Sequence, residues 1–276
     1  MKHFKIINNN YINNCLLGGK ILNHNFTFFT YNVSWQSMTN NHDLKICNDI
    51  SGNNLCKSNI LSNISLYLEK FSPDFVCFQE ASNYQDLLNL FDINLYKNFI
   101  NKSGKEFMAT LWNYKKFSLV KSFYGEFEKG RPFAILILKY LTNKKNIALI
   151  NIHASHEIDT QKYIFDVINN FINNNISYYL KKSISNVFMV GDFNRNILND
   201  NFDYDIIFSK IFSLHKFSNN KPTCCSILGY GFNRDYDHVL ISNGSIIKKI
   251  TANSSIKYKF PSSDHIMVIV NADVYF

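Results

Sequence analysis

The stretch Val187-Phe188-Met189-Val190-Gly191-Asp192-Phe193-Asn194 sets four apolar residues directly before a glycine, an acid and an amide. Four apolar residues in a row, three of them branched or aromatic, suit a strand buried on both faces. Gly-Asp is a common turn by itself. The same grammar recurs along the chain, however. Phe26 to Tyr31 leads into Asn32, and Phe75-Val76-Cys77-Phe78 leads into Gln79-Glu80. Ile147 to Ile152 leads into His153. Arg234-Asp235-Tyr236-Asp237 precedes His238 to Ser242, and Ser263-Asp264-His265 precedes Ile266 to Val270. Acids, amides and imidazoles therefore stand repeatedly at strand ends, where a sheet can hold them rigidly around one cleft.

Outward from these motifs, the expected strands are Phe26–Val33, Phe75–Phe78, Phe107–Trp112, Phe133–Tyr140, Ile147–Ile152, Val187–Val190, His238–Ser242 and Ile266–Val270. Leu55 to Phe71 places Leu61, Ile64, Leu68 and Phe71 on one helical face, and Ser72-Pro73 stops the helix. A second helix is expected within Glu157–Leu180, with Ile164, Val167, Ile168 and Phe171 on one face and an end at the Asn173 run. Many strands and few helices argue for sheets packed together with helices outside. Residues 1–25 read as an extension and residues 26–276 as one domain.

The 276 residues are 46% hydrophobic and 16% aromatic, which excludes a disordered chain. Lysine and arginine exceed aspartate and glutamate by 29 − 21 = 8, which suits a polyanionic partner: nucleic acid, a phosphoinositide or an anionic surface. No apolar run reaches the roughly 18 residues of a membrane helix. No signal-peptide core is evident, so an intracellular protein, cytoplasmic or nuclear, and by default a monomer, is expected. The six cysteines show no CxxC spacing and are read as reduced thiols. Asparagine and lysine abound, while arginine occurs only at Arg131, Arg195 and Arg234. Where lysine is the default, arginine points to a need for planar, bidentate hydrogen bonding.

Taken in order, Tyr31-Asn32-Val33, Pro73 through Glu80, Asn151-Ile152-His153, Gly191-Asp192-Phe193-Asn194, Tyr236 through Leu240 and Ser263-Asp264-His265 resemble the endonuclease/exonuclease/phosphatase superfamily, the DNase I-like fold. The resemblance spans roughly residues 26–276. It implies an α/β (α+β) four-layer αββα sandwich: two packed mixed β-sheets flanked by helices, with the site at one edge. It also implies a metal-dependent phosphoric ester hydrolase using Mg²⁺ or Mn²⁺. Glu80 and Asp264, helped by Asn32, offer the hard oxygen ligands such ions take. Asp192 would orient or deprotonate the attacking water, and Asn194 would point the same way if the segment is extended. His153 and His265 would contact the phosphate and could protonate the leaving group, with Asp237 fixing the His265 tautomer. Arg131, Arg195 and Arg234 are the candidate phosphate contacts.

The substrate is less legible. The run Asn32-Val33-Ser34-Trp35 lacks the acid and glycine that abasic-site and tyrosyl-DNA members carry after the motif asparagine. Tyr31, Trp35 and Tyr230 are candidates for base stacking, although such rings are more often core. The favoured reading is a nuclease acting on nucleic acid. The alternatives are a phosphatase of inositol phosphates or phosphoinositides, a catalytically inactive binding module of the same fold, and a zinc protein built on His153, His156 and Cys224-Cys225.

Overall fold

In the computed structural model the described residues are 23–39, 55–156, 168, 184–195, 212–213, 223–224, 234–242, 246–252 and 263–276. Twelve strands form two sheets among them. The first has the order β11-β12-β1-β2-β4-β3, from Ile246–Ala252, Val268–Tyr275, Asn23–Asn32, Phe75–Gln79, Glu106–Asn113 and Tyr96–Ser103. The second has the order β5-β6-β7-β8-β10-β9, from Phe117–Glu126, Pro132–Tyr140, Asn146–His153, Ile184–Asp192, Asp237–Ser242 and Phe212–Ser213. Each sheet has one parallel pair, β1 with β2 and β7 with β8; the other neighbours are antiparallel.

The parallel pairs explain the motif grammar. Asn32 pairs with Gln79 and His153 pairs with Asp192, so parallel neighbours deliver their polar ends to the same edge. Antiparallel β10 starts where β8 ends, which places Asp237 beside Asp192. Between the sheets lies a core of aromatic and branched residues, including Phe26, Phe28, Phe75, Phe188 and Val190, all under 2% exposed. Phe26 meets Phe75, Phe117 and Tyr140 edge-on, the arrangement that ring quadrupoles favour. Helix α1 is Trp35–Met38, α2 is Leu55–Leu68 and α3 is Tyr84–Leu88. Ile60, Ile64 and Tyr67 of α2 pack on the outer face of the first sheet against Phe29, Val76 and Phe78.

A buried polar bridge crosses the core below the site edge. Gln79 Nε2 donates to Asn151 Oδ1 at 2.8 Å, and Asn151 Nδ2 donates to Thr110 Oγ1 at 2.9 Å. Gln79 and Asn151 are both 0% exposed, so the pairing offsets the cost of taking two amides out of water.

Several expectations shift. Sheet structure starts at Asn23, inside the expected extension, and the last strand starts at Val268 and runs to Tyr275. Strands β3, β5, β9 and β11 were not anticipated. β3 and β5 carry polar residues on their open sides, which blurs the alternation that marks a strand. The expected helix Glu157–Leu180 lies outside the described residues except Ile168, which is helical and 2% exposed. The expectation of reduced thiols holds for buried Cys77 and fails for Cys56 and Cys224, which are disulfide-bonded. Which sulfurs meet is decided by the fold, and sequence spacing alone does not report it. No helix among the described residues is long and apolar enough to cross a membrane.

Candidate active site

Asp192 ends β8 on a backbone that only glycine permits. Gly191 has φ +140°, and a Cβ there would stand 2.1 Å from the Ile152 carbonyl oxygen. That close approach brings β8 against β7 and sets Asp192 beside His153. Glu80 and Asn194 also take left-handed backbone, at φ 53° and 50°. Such conformations are costly for residues with a side chain and concentrate at functional sites.

Asp192 is fully buried and lies between two imidazoles. Its Oδ2 is 3.6 Å from His153 Nε2 and 3.5 Å from His265 Nε2. Each ring is backed at Nδ1 by a carboxylate: Asp237 Oδ2 at 2.9 Å from His265, and Glu106 Oε1 at 2.6 Å from His153. The Asp237 pairing is as the resemblance implied. Glu106 was not anticipated, because it opens β4 after a hairpin turn and no apolar run precedes it. Its sequence signal is only an acid at the start of a predicted strand.

Asn32 completes the centre. Its Nδ2 donates to Asp192 Oδ2 at 3.0 Å and to Glu80 Oε1 at 3.4 Å. Its Oδ1 accepts from the Ser34 N–H at 3.0 Å. Glu80 Oε2 accepts the Trp35 N–H at 2.9 Å, and Glu80 Oε1 is 3.8 Å from His153 Nε2. Ser263 Oγ donates to the Asn32 carbonyl at 2.8 Å and accepts the His265 N–H, tying the Ser263-Asp264-His265 turn to β1. Thr223 Oγ1 accepts the N–H groups of Tyr236 and Asp237, fixing the start of β10.

Charge in this enclosure is strongly redistributed. Burial opposes charging His265, but Asp237, Asp192 and Asp264 outweigh it and hold the imidazole well above its usual value. His153 is raised too, because Glu106, Asp192 and Glu80 overcome its burial. Burial pushes Asp192 up, yet the two histidines and the hydrogen bonds from Asn32 and Asn194 bring it below the ordinary carboxylate range. Burial raises Glu106, Asp237 and Asp264, and Glu80 adds to the rise of Glu106 and Asp264. Convergent carboxylates that repel one another are the donor set a divalent cation neutralises. Asp237 and Glu106 each back a histidine and Asp192 faces both, which leaves Glu80 and Asp264 as the carboxylates that could hold a divalent cation, while the Asn32 amide turns its Nδ2 to Glu80 and its Oδ1 to the Ser34 N–H. Asp192, Asp237 and His265 also bring donor atoms within 4.8 Å of one another, but there the His265 Nδ1 is engaged with Asp237.

Other expectations separate. Asn194 does not run on from Asp192 in extended form. Its N–H turns back to Asp192 Oδ1 at 2.7 Å, and its Nδ2 donates to the Ala154 carbonyl at 2.7 Å. The left-handed backbone makes that reversal. Arg131 reaches the site: its guanidinium donates to His153 Nε2 at 2.7 Å and lies 3.8 Å from Glu106. That bond needs a lone pair on Nε2, whereas the surrounding carboxylates favour the imidazolium, so the two demands on His153 oppose each other. Arg195 is buried at 8% exposure, its carbonyl accepting from His238 Nε2. Arg234 is exposed and lies over the Tyr236 ring, 6.0 Å from its centroid. Tyr31 is core, Trp35 is 41% exposed beside Glu80, and Tyr230 lies outside the described residues. The zinc set does not assemble among the described residues. Cys224 Sγ is 3.3 Å from His265 Nε2 and is engaged in a disulfide, while His153 is held by Glu106 and Arg131.

Comparison with known proteins agrees with this fold. A structure of an endonuclease/exonuclease/phosphatase family protein from Bacteroides thetaiotaomicron superposes with TM-score 0.67 at 16% identity, covering 91% of this chain and 98% of that one. The mannosyl-6-phosphatase Bt3783 of Bacteroides thetaiotaomicron gives TM-score 0.64 at 15% identity over 90% and 99%. D. rerio TDP2 complexed with a single-strand DNA product gives 0.65 at 13% over 91% and 99%. No curated protein matches the sequence. Residues 29–265 match the Endonuclease/Exonuclease/phosphatase family, whose members are phosphoester hydrolases, and the chain belongs to it.

Proposed function

We propose that the protein is a divalent-metal-dependent phosphodiesterase acting on nucleic acid, within a single catalytic domain. The observation that carries this is the pair of carboxylate-backed histidines, His153 with Glu106 and His265 with Asp237, facing Asp192 from two sides at 3.6 and 3.5 Å. Phosphodiester hydrolysis needs a base for water on one side of the phosphorus and a proton for the departing oxygen on the other. Asp192, held anionic by its neighbours, orients and deprotonates the water. His265, held protonated by Asp237, donates to the leaving oxygen. His153 and Arg131 stabilise the developing phosphate charge. Asn32 fixes Asp192 through its amide, and Asn194 fixes the turn that presents it. Mg²⁺ or Mn²⁺ held by Glu80, Asp264 and Asn32 would supply Lewis-acid polarisation of the phosphoryl oxygens.

Nucleic acid is favoured as substrate by the net charge of +8 and by the exposed Trp35 beside Glu80. Relatives of this fold include one complexed with single-strand DNA and one acting on a phosphosugar, so the substrate is chosen by what surrounds the centre. The test is a panel with Mg²⁺: single- and double-stranded DNA, RNA, inositol phosphates and mannose 6-phosphate, each beside Asp192→Ala. Cleavage of an oligonucleotide that Asp192→Ala abolishes is expected. Hydrolysis of inositol phosphates alone, or cleavage that survives Asp192→Ala, would overturn the proposal.

A further inference from the structure

At the open side of the sandwich the two sheet edges β3 and β5 lie together, and they carry a strip that the proposed reaction does not use. Tyr124 of β5 is 67% exposed, with its ring 6.1 Å from that of Phe99 on β3. Leu119 and Val120 on the same edge are 42% and 45% exposed. Lysines interleave with these rings. The Lys97 and Lys115 ammonium groups lie 4.9 and 4.8 Å from the Tyr114 ring centroid, and that of Lys121 lies 4.9 Å from Phe123. Neither Lys97 nor Lys115 is in an ion pair among the described residues. Edge strands are usually blunted by charge or covered. Here the charge is lysine except at the site end of β5, where Glu126 is held by the Ser103 hydroxyl, and the lysines are set beside the exposed Tyr124 and the half-buried Phe99, Tyr114 and Phe123.

The strip begins at the active site. The turn between β5 and β6 ends at Arg131, which holds His153, and its Gly130 N–H donates to Ser103 Oγ at the end of β3. From Ser103 back to Lys97 is about 20 Å at roughly 3.3 Å per residue, room for several nucleotides. Lysine ammoniums match phosphates, and exposed rings match bases, which stack without regard to sequence. A membrane surface is matched less well, because the apolar groups lie along the flank of a strand and do not form a projecting tip.

We propose that the β3–β5 edge holds a single-stranded tail of the substrate to one side of the scissile phosphate, with Tyr124 as the stacking platform and Lys97 and Lys115 as phosphate contacts. The inference rests on the nucleic-acid reading, and binding tests it apart from catalysis. The experiment compares wild type with the variant Lys97→Gln/Lys115→Gln/Tyr124→Ala. Kd for a labelled 12-nucleotide single strand is measured in EDTA, and KM and kcat with Mg²⁺ are measured on that strand and on a dinucleotide. The expected result is a Kd and a KM at least tenfold higher on the long strand, with the dinucleotide constants unchanged. The slope of log Kd against log salt falls by about 1.4, since each of two lost contacts is worth about 0.7 on a single strand. An unchanged Kd for the 12-mer overturns the inference even if wild type cleaves it. So does loss of binding to phosphatidylserine vesicles with oligonucleotide binding intact. Tight binding without cleavage by wild type would leave the strip standing and sink the phosphodiesterase reading.

Discussion

Replacing Asn151 by leucine removes the centre of the polar bridge beneath the active site while nearly keeping its volume. Asn151 accepts from Gln79 Nε2 at 2.8 Å and donates to Thr110 Oγ1 at 2.9 Å and to the Ala109 carbonyl at 3.3 Å, with no exposure to solvent. Each of the two shorter bonds is worth about 1 kcal/mol net, and stranding a buried partner adds about 1–3 kcal/mol. Gln79 Nε2 keeps bonds to the Cys77 carbonyl and Thr30 Oγ1, both at 3.2 Å, so the stranded groups are chiefly Thr110 and the Ala109 carbonyl. The expected loss is about 3 kcal/mol of unfolding free energy, read from the urea midpoint at unchanged m. Gln79→Leu should cost a similar amount. The double variant should lose less than the sum by about 1 kcal/mol or more, because the bond between the two residues is broken only once. Glu80 follows Gln79 directly and His153 follows Asn151 by two residues, so kcat should fall as well. A loss under about 1 kcal/mol for Asn151→Leu, or strict additivity in the double variant, would refute the bridge as the element that fixes one sheet against the other.

Other outcomes follow from the same geometry. The proton on His265 is retained through neutral pH, and activity that needs it should fall only as pH rises through the raised imidazole value. Asp237→Asn should move that alkaline limb to lower pH, and a pH–rate profile that does not move would refute the pairing. The stability His265 gains from its carboxylates is fully present below its usual value near 6.5 and is lost as pH rises through the raised one, so Asp237→Asn should also flatten that decline in thermal unfolding. Glu106→Gln keeps an acceptor for His153 Nδ1 but removes its charge, and kcat should drop by up to about 10²-fold with KM little changed. Arg131→Ala should raise KM for a phosphodiester, whereas Arg195→Ala, which opens a buried site, should lower the melting temperature instead. Chelation should abolish hydrolysis, and Mg²⁺ or Mn²⁺ should restore it.

Much of the centre is visible in the sequence, because each residue ends or begins an apolar run. Asn32, Glu80, His153, Asp192, Asp237 and His265 were marked by that position and named through their order along the chain and the family resemblance that the order carries, since a single polar residue at a strand end is common. Pairing β1 with β2 and β7 with β8 in parallel turned the recurring grammar into a single edge. Glu106 escaped notice because its place at His153 depends on a hairpin whose second strand starts with the functional residue. Asn194 was misjudged because left-handed backbone breaks the two-residue alternation on which its direction was argued.

The three arginines show the division most clearly. Their scarcity in a lysine-rich chain marked them, but composition carries no coordinates. The fold gave Arg131 to His153, buried Arg195 under the site edge and left Arg234 on Tyr236 at the surface. The cysteines follow the same rule, since only the folded chain decides that Cys224 lies 3.3 Å from His265 and in a disulfide. Sequence by itself determined which residues stand at strand ends and that they are chemically able to handle a phosphate, because local periodicity and residue type are local properties. Only the tertiary structure decided which carboxylate backs which histidine and which edge lies open beside the site, because those pairs stand 47 and 28 positions apart and the site's contacts join residues as far as 231 apart.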